Sequence, residues 1–148
     1  MKKLSKPFTI TMTCISIFTM VIMSVMDLND THMTNPLWPP HARFHWAVQY
    51  FSAMLVCVLA LFAIWSNYKE KGSRLSILFI GLSPLLFWGM FFPALLMPGT
   101  GTWPDGVIPP KGFPEIFKTI HPNLIMACML SIVSVILTIR EYKIRRHE

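Results

Sequence analysis

Four apolar stretches constrain the fold of this chain more than any other feature. Each is about as long as the roughly 20 residues that an α-helix needs to cross the hydrocarbon layer of a membrane. They lie near Phe8–Met26, Phe44–Trp65, Leu75–Met97 and His121–Ile139. Charged residues make up only 14% of the 148 residues, and the mean hydropathy is +0.52. The sequence therefore predicts an all-α, polytopic membrane protein, a bundle of four transmembrane helices that forms one domain over residues 1–148.

The first stretch follows a Lys-rich N-terminus, as the apolar region of a signal peptide also does. Its apolar run is longer than the roughly 7–15 residues of such a region. No small-residue cleavage pattern precedes Asp27. We therefore expect an uncleaved helix.

The distribution of Lys and Arg predicts the orientation of the bundle, because cytoplasmic loops carry the excess of basic residues. Three basic residues, Arg43, Lys111 and Lys118, fall on one side. The other side has ten: Lys2, Lys3, Lys6, Lys69, Lys71, Arg74, Arg140, Lys143, Arg145 and Arg146. Both termini are therefore expected in the cytoplasm, in the cell (inner) membrane. Two outer loops, at about 27–43 and 98–120, follow from this orientation.

The net charge of +6 does not indicate nucleic acid binding. The basic residues form short runs beside apolar stretches, as juxtamembrane anchors do. The sequence has no basic face with interleaved aromatic residues and no nucleic-acid motif. The expected partners are the lipid bilayer and a hydrophobic small molecule or lipid, and a homo-oligomer is left open.

Polar residues recur at helical spacing within the apolar stretches, and such residues normally face protein or a cavity rather than lipid. The stripes are Thr9, Thr13, Ser16, Met20, Ser24 and Asp27; then His41, His45, Gln49 and Ser52; then His121, Cys128, Ser131, Ser134 and Thr138. Hydroxyl groups in membrane helices usually bond their own backbone or join neighbouring helices. The ionisable residues carry the stronger functional signal, because charge is costly at membrane depth. In the third stretch, Ser83-Pro84 predicts a kink, and Gly81 and Gly89 allow close approach of another helix.

The segment Asn35–His45 has the most unusual composition in the chain. Pro40 suits the first residue of a helix, which places His41 and His45 one turn apart on one face. Three interpretations stay open. The two histidines could begin a metal site, could exchange protons with nearby carboxylates, or could hold an anionic headgroup with Arg43 and the helix N-terminus.

The acid–base interpretation leads: an enzyme with isomerase-like or hydratase-like chemistry on a small hydrophobic or lipid-like substrate. It requires no cofactor. Its candidate catalytic residues are Asp27, His41, His45 and Glu115. Its candidate substrate-binding residues are Arg43, Gln49, Trp38, His32 and His121.

Two alternatives use the same outer loops. One is a membrane protein that binds Zn or Cu through His41, His45 and His32. The other is a non-catalytic accessory subunit whose Pro-rich outer loops dock a partner.

The run Asn-Pro-Leu-Trp-Pro-Pro-His-Ala-Arg-Phe-His at positions 35–45 resembles the signature of a family of small four-helix membrane proteins without an assigned function. The upstream element, with Asp27 followed by Thr31 and His32, is similar too. The resemblance covers most of the first half of the chain and the helix count. It implies membership of that family and no particular reaction.

Overall fold

The computed structural model describes residues 3–66, 72–103, 112 and 114–146, and these residues are organised into helices. The helices are α1 (Lys6–Asp27), α2 (Pro40–Trp65), α3 (Arg74–Leu82), α4 (Phe91–Ala94), α5 (Glu115–Thr119) and α6 (Pro122–Arg146). Two 3₁₀ turns, Ser83–Leu86 and Trp88–Met90, connect α3 to α4. This part of the chain contains no strand, and the predicted all-α class is confirmed for it. Lys2, Lys69, Lys71 and Lys111, which entered the charge count above, lie outside the described residues.

Three helices are long and apolar enough to cross a membrane: Lys6–Asp27, Pro40–Trp65 and Pro122–Ile144. A fourth candidate is the pair Arg74–Leu86 and Trp88–Ala94, which is bent by 47°. Helix α2 begins at Pro40, the residue predicted for its first position, four residues before the apolar stretch starts at Phe44. Proline fits there because the first helical position needs no hydrogen-bonded N–H. The described chain thus has three or four candidate membrane-spanning helices.

The bend in the third stretch has a local cause at Ser83-Pro84. Pro84 has no N–H to donate, so the carbonyl of Ile80 loses its helical partner. The Ser83 hydroxyl replaces that donor and lies 2.9 Å from the Ile80 oxygen. The predicted kink is therefore found, although the irregular segment continues through Phe87 as 3₁₀ turns rather than as one straight helix.

The bundle buries several small polar side chains within an apolar core that includes Trp88 and Phe8, and it exposes many other large apolar side chains. This distribution is expected where lipid replaces water as the surrounding solvent. Thr19, Ser134 and Thr138 are at most 3% exposed. By contrast, Phe62 and Leu55 are 68% and 59% exposed. As the spacing predicts, the polar stripes of α1 and α6 turn mainly inward.

Close contacts join the broken third segment to its neighbours. The indole Nε1 of Trp88 donates to Thr19 Oγ1 at 2.8 Å, which ties the segment to α1. Gly81 lies so close to α6 that a Cβ atom there would overlap the Thr138 side chain, as the predicted close approach requires. Gly89 is not in such a close contact between helices. A Cβ atom there would meet the side chain of Leu85, which belongs to the same segment.

The N-terminus of α1 is held against the C-terminal half of α6. Glu141 is 1% exposed. Its carboxylate accepts the Ser5 N–H at 3.0 Å and the Ser5 hydroxyl at 2.5 Å. The beginning of α1 and the end of α6 therefore lie at the same end of the bundle, opposite the end that carries Asp27.

Candidate functional site

A cavity of about 510 Å³ lies at the Asp27 end of the bundle. The end of α1, the following loop, α2, the broken third segment and the start of α6 all contribute to its lining. Its apolar side combines aliphatic residues and methionines with aromatic residues, which include Trp46, Tyr50, Phe87, Trp88 and Phe91. Its polar side includes Asp27, His32, Gln49, Thr100, Thr102, His121 and Asn123. This volume and this combination of an apolar wall with a few polar groups are typical of small-molecule sites.

Asp27 and His32 form the central ionisable pair of this lining. Asp27 is the last residue of α1, and the chain turns back after it, with the Met33 N–H donating to the Asp27 carbonyl at 3.1 Å. This turn brings the His32 ring toward the carboxylate, with 3.9 Å between Nδ1 and Oδ1. The side chains are 28% and 18% exposed for His32 and Asp27, respectively, so the pair is accessible from the cavity but partly shielded from water.

Hydrogen bonds around Thr31 determine which ring nitrogen of His32 carries a proton. The Asn29 amide donates through Nδ2 to the carbonyls of Val25 and Met26, so its Oδ1 faces the other way. That oxygen can only accept, and it takes the Thr31 hydroxyl hydrogen at 2.6 Å. Thr31 Oγ1, 2.8 Å from His32 Nδ1, must then accept from that nitrogen. Neutral His32 therefore holds its hydrogen on Nδ1, and its Nε2 is the nitrogen that can take up a proton.

His121, the residue immediately before α6, also lines this cavity. Its Nδ1 accepts the N–H of Asn123 at 3.1 Å, so the ring caps the helix and a neutral His121 carries its hydrogen on Nε2. The ring packs edge-on against Trp103, with 4.5 Å between ring centroids. Burial lowers the pKa of His121, and the nearby His32 lowers it further, so His121 favours its neutral form.

Trp38 and Gln49 also lie where a substrate could meet them. Trp38 lines the cavity and contacts His32 edge-on, with ring centroids 5.6 Å apart. Gln49 lies at the edge of the cavity on α2. Of the predicted site residues, the structure thus gathers Asp27, His32, His121, Trp38 and Gln49 around one space.

Arg43 holds the loop rather than lining this cavity. Its Nη2 donates to the Asn35 carbonyl at 2.8 Å. Asn35 is 3% exposed, and its side-chain oxygen accepts the Leu37 N–H at 2.9 Å. In the described structure, the Asn35–His45 segment therefore fixes the loop onto the first turn of α2.

His41 and His45 are one turn apart on α2, as predicted, but both are exposed and neither lines the cavity. Their Nε2 atoms are 3.0 Å apart. The stripe they begin, with Gln49 and Ser52, is exposed throughout, because α2 packs through Cys57, Ala60 and Ile64 instead. The acid–base role predicted for the two histidines stays a prediction.

Glu115 opens the short helix α5 and is exposed outside the lining of this cavity. Within the described ranges, no three His, Cys, Asp or Glu side chains are positioned to hold a metal ion together. His41 and His45 supply one close pair, and His32 lines the cavity instead. The Zn or Cu site stays a prediction.

Most of the cavity lining was not among the predicted site residues, and Tyr50, Trp88 and Asn123 are three examples. Tyr50 stacks on Trp46 at 5.0 Å, and its hydroxyl lies 2.8 Å from the Ser24 hydroxyl of α1. The spacing of Trp46 and Tyr50 by one helical turn, on the packing face of α2, is a sequence signal that could have identified them. Trp88 carries no comparable signal, because the broken segment around it has no helical period.

No curated protein and no solved structure matches this chain. Residues 12–146, nearly the whole chain, match the sequence model of a family of unknown function, DUF6640. The chain therefore belongs to the DUF6640 family of unknown function.

Proposed function

We propose that this protein is a membrane enzyme that moves a proton on a hydrophobic, lipid-like substrate, with Asp27 and His32 as its acid–base pair. One observation carries the proposal: a carboxylate and an imidazole, 3.9 Å apart, share the lining of a cavity of about 510 Å³ whose other walls are mainly aromatic and aliphatic. Ionisable groups within membrane segments are energetically costly, and those that are present usually have a function.

The roles of the pair follow from its hydrogen bonds. Neutral His32 accepts a substrate proton at Nε2, because Nδ1 is occupied by its bond to Thr31. The imidazolium that forms is stabilised by the adjacent Asp27 carboxylate. In an isomerisation, His32 then delivers the Nε2 proton, or one exchanged with it from solvent, to another atom of the substrate. In a hydration, His32 takes its proton from the water that adds to one carbon of a double bond, and the other carbon receives a proton. Neither cycle needs an oxidant or a cofactor.

The remaining polar groups of the cavity orient the substrate. His121 stays neutral through burial, so it offers its Nε2–H to a substrate oxygen. Gln49 and Trp38 complete the polar rim, and the aromatic wall favours an apolar body. The substrate therefore carries one small polar group on an otherwise apolar skeleton.

The proposal includes a topology. The bent pair Arg74–Leu86 and Trp88–Ala94 acts as one span, which gives four spans. Both termini lie on the cytoplasmic side of the inner membrane, because ten of the thirteen basic residues fall on that side. The Asp27 cavity then opens at the outer face. The contact between Ser5 and Glu141 supports placing the two termini together.

Deuterium incorporation tests the proposal while the substrate is still unidentified. The protein is purified with its co-purifying lipids, incubated in D₂O, and the lipids are analysed by mass spectrometry. We expect one lipid class to gain carbon-bound deuterium at a rate proportional to protein concentration. Incorporation no faster than in protein-free lipid would contradict the proposal.

A further inference from the structure

A second cavity of about 260 Å³ lies between α2 and the break in the third segment. Two of its lining residues, Gln49 and Phe87, also line the first cavity. The two spaces are therefore neighbours that meet at these two side chains.

The second cavity extends along α2 into the depth of the bundle. Its α2 wall runs from Gln49 to Cys57, which corresponds to about 12 Å along the helix axis. Ser52 and Leu86 are exposed on its rim, so it opens on the side of the bundle. That side also carries the exposed apolar residue Leu59, as expected of a surface that meets lipid.

The wall of the second cavity offers few polar groups to a ligand. The Thr19 hydroxyl donates to the Ile15 carbonyl at 2.8 Å and accepts from Trp88. The Ser83 hydroxyl is bonded to the Ile80 carbonyl. Gln49 and Ser52 add polar groups at exposed positions. The rest of the wall is mainly apolar and consists of Ala53, Val56, Cys57, Pro84, Leu86 and Phe87. A hydrocarbon chain suits this wall, because it has no polar atom that would need a hydrogen-bond partner there.

We propose that the ligand of this protein is a single-chain amphiphile, whose polar end lies among Asp27, His32 and His121 and whose flexible hydrocarbon chain passes between Gln49 and Phe87 into the second cavity. This inference rests on the proposed function and specifies its substrate class. A flexible chain fits because the second cavity extends about 12 Å along α2 and shares Gln49 and Phe87 with the first cavity. A rigid polycyclic ligand would fill the first cavity without entering the second.

Photolabelling tests the path of the chain. The probe is a long-chain primary alcohol that carries a diazirine at the middle of its chain, added to the full-length protein in lipid nanodiscs. After irradiation, labelled residues are mapped by mass spectrometry. We expect labelling to concentrate on the second cavity, at Val56 and at the segment from Ser83 to Phe87, above the level at the lipid-facing residue Ile132.

Variants on α2 provide the matched comparison. Val56→Phe fills the second cavity, and Leu55→Phe adds the same ring to the neighbouring exposed position. Excluding about two methylene groups from the cavity lowers affinity by about tenfold. We therefore expect labelling of the segment from Ser83 to Phe87 to fall by about tenfold in Val56→Phe and to persist in Leu55→Phe. Ser52→Phe, on the exposed rim, gives the same test without altering a packed position.

The outcomes separate this inference from the proposed function. Uniform labelling of lipid-facing residues, unchanged by Val56→Phe and Ser52→Phe, would overturn the chain path even if deuterium incorporation occurs. Cavity labelling that a rigid sterol displaces as well as a linear alcohol does would overturn the single-chain class. Concentrated labelling without deuterium incorporation would retain the chain site and refute the proposed catalysis.

Discussion

The Nδ1 atom of His32 lies 3.9 Å from Oδ1 of Asp27 and 2.8 Å from the Thr31 hydroxyl. Asp27 and His32 are five positions apart, and the turn that joins them closes the end of α1. The same turn residues that terminate the helix therefore also orient the imidazole. Asn29 contributes to both the helix end and the orientation of His32. Its amide nitrogen caps carbonyls of α1, and its oxygen orients Thr31.

Thr31 is predicted to act as a positioning residue for His32. Thr31→Val removes the hydroxyl that accepts from Nδ1, so the ring loses the bond that fixes its tautomer. A bond of this kind contributes about 1 kcal/mol, and we expect the rate of deuterium incorporation to fall by about fivefold to tenfold. Thr31→Ser keeps the hydroxyl and should retain the rate. Equal loss in both variants would indicate a packing effect instead.

The stability of the fold is predicted to fall in mildly acidic solution because of His121. Burial first, and His32 second, lower its pKa below the ordinary value of 6.5. Between the lowered pKa and 6.5, the unfolded chain binds more protons than the folded chain, so stability decreases as the pH falls through this window. Above 6.5 the contribution is complete, and below the lowered pKa it changes no further.

Thermal unfolding in detergent across this pH range measures the effect. The melting temperature of His121→Gln should decrease less as the pH falls, since glutamine does not titrate. His41→Gln, at an exposed histidine outside the cavity, is the matched control for replacing a histidine by glutamine. A wild-type slope in His121→Gln would show that another group causes the pH dependence.

Gly81 is predicted to be intolerant of any side chain. A Cβ atom there would lie 2.8 Å from Thr138 Cβ and overlap its hydroxyl, so α3 and α6 would have to separate. Overpacking of this kind costs about 1–3 kcal/mol, which lowers the melting temperature of Gly81→Ala. The double variant Gly81→Ala/Thr138→Ala should recover part of the loss, and strict additivity of the two changes would argue against the contact.

Glu141 is predicted to stabilise the bundle through its acceptor oxygens. Glu141→Ala removes the acceptors of the Ser5 N–H and hydroxyl in a buried setting. Donors left unsatisfied cost about 1–3 kcal/mol each, so the melting temperature should fall. Glu141→Gln retains one acceptor oxygen, so its melting temperature should fall less. A melting temperature in Glu141→Ala equal to that of the wild-type protein would contradict this role.

The helices and the inward stripes of α1 and α6 could be predicted because hydropathy and helical spacing determine them directly. The orientation of the α2 stripe could not. Spacing shows that His41, His45 and Gln49 share a face, but the packing of Cys57, Ala60 and Ile64 decides where that face points. The role of Arg43 depends on a bond to the Asn35 carbonyl, which a sequence does not display.

The cavity itself is only partly predictable. The sequence identifies Asp27, His32 and His121 as ionisable groups at one end of the bundle. Their grouping depends on the turn after α1 and on the helix cap at His121. Trp88 reaches the same cavity because the chain leaves regular helix near Pro84, and beyond that residue helical periodicity no longer predicts which side chains face inward.

The most direct test of the central claim compares deuterium incorporation in Asp27→Asn and His32→Gln with that in His41→Gln and His45→Gln. Acid–base groups typically contribute about 10²–10⁴-fold to a rate. We therefore predict a loss of at least about 100-fold in the two cavity variants and wild-type rates in the two α2 variants. A large loss in His41→Gln or His45→Gln, with the rates of Asp27→Asn and His32→Gln unchanged, would contradict the assignment of Asp27 and His32 as the acid–base pair.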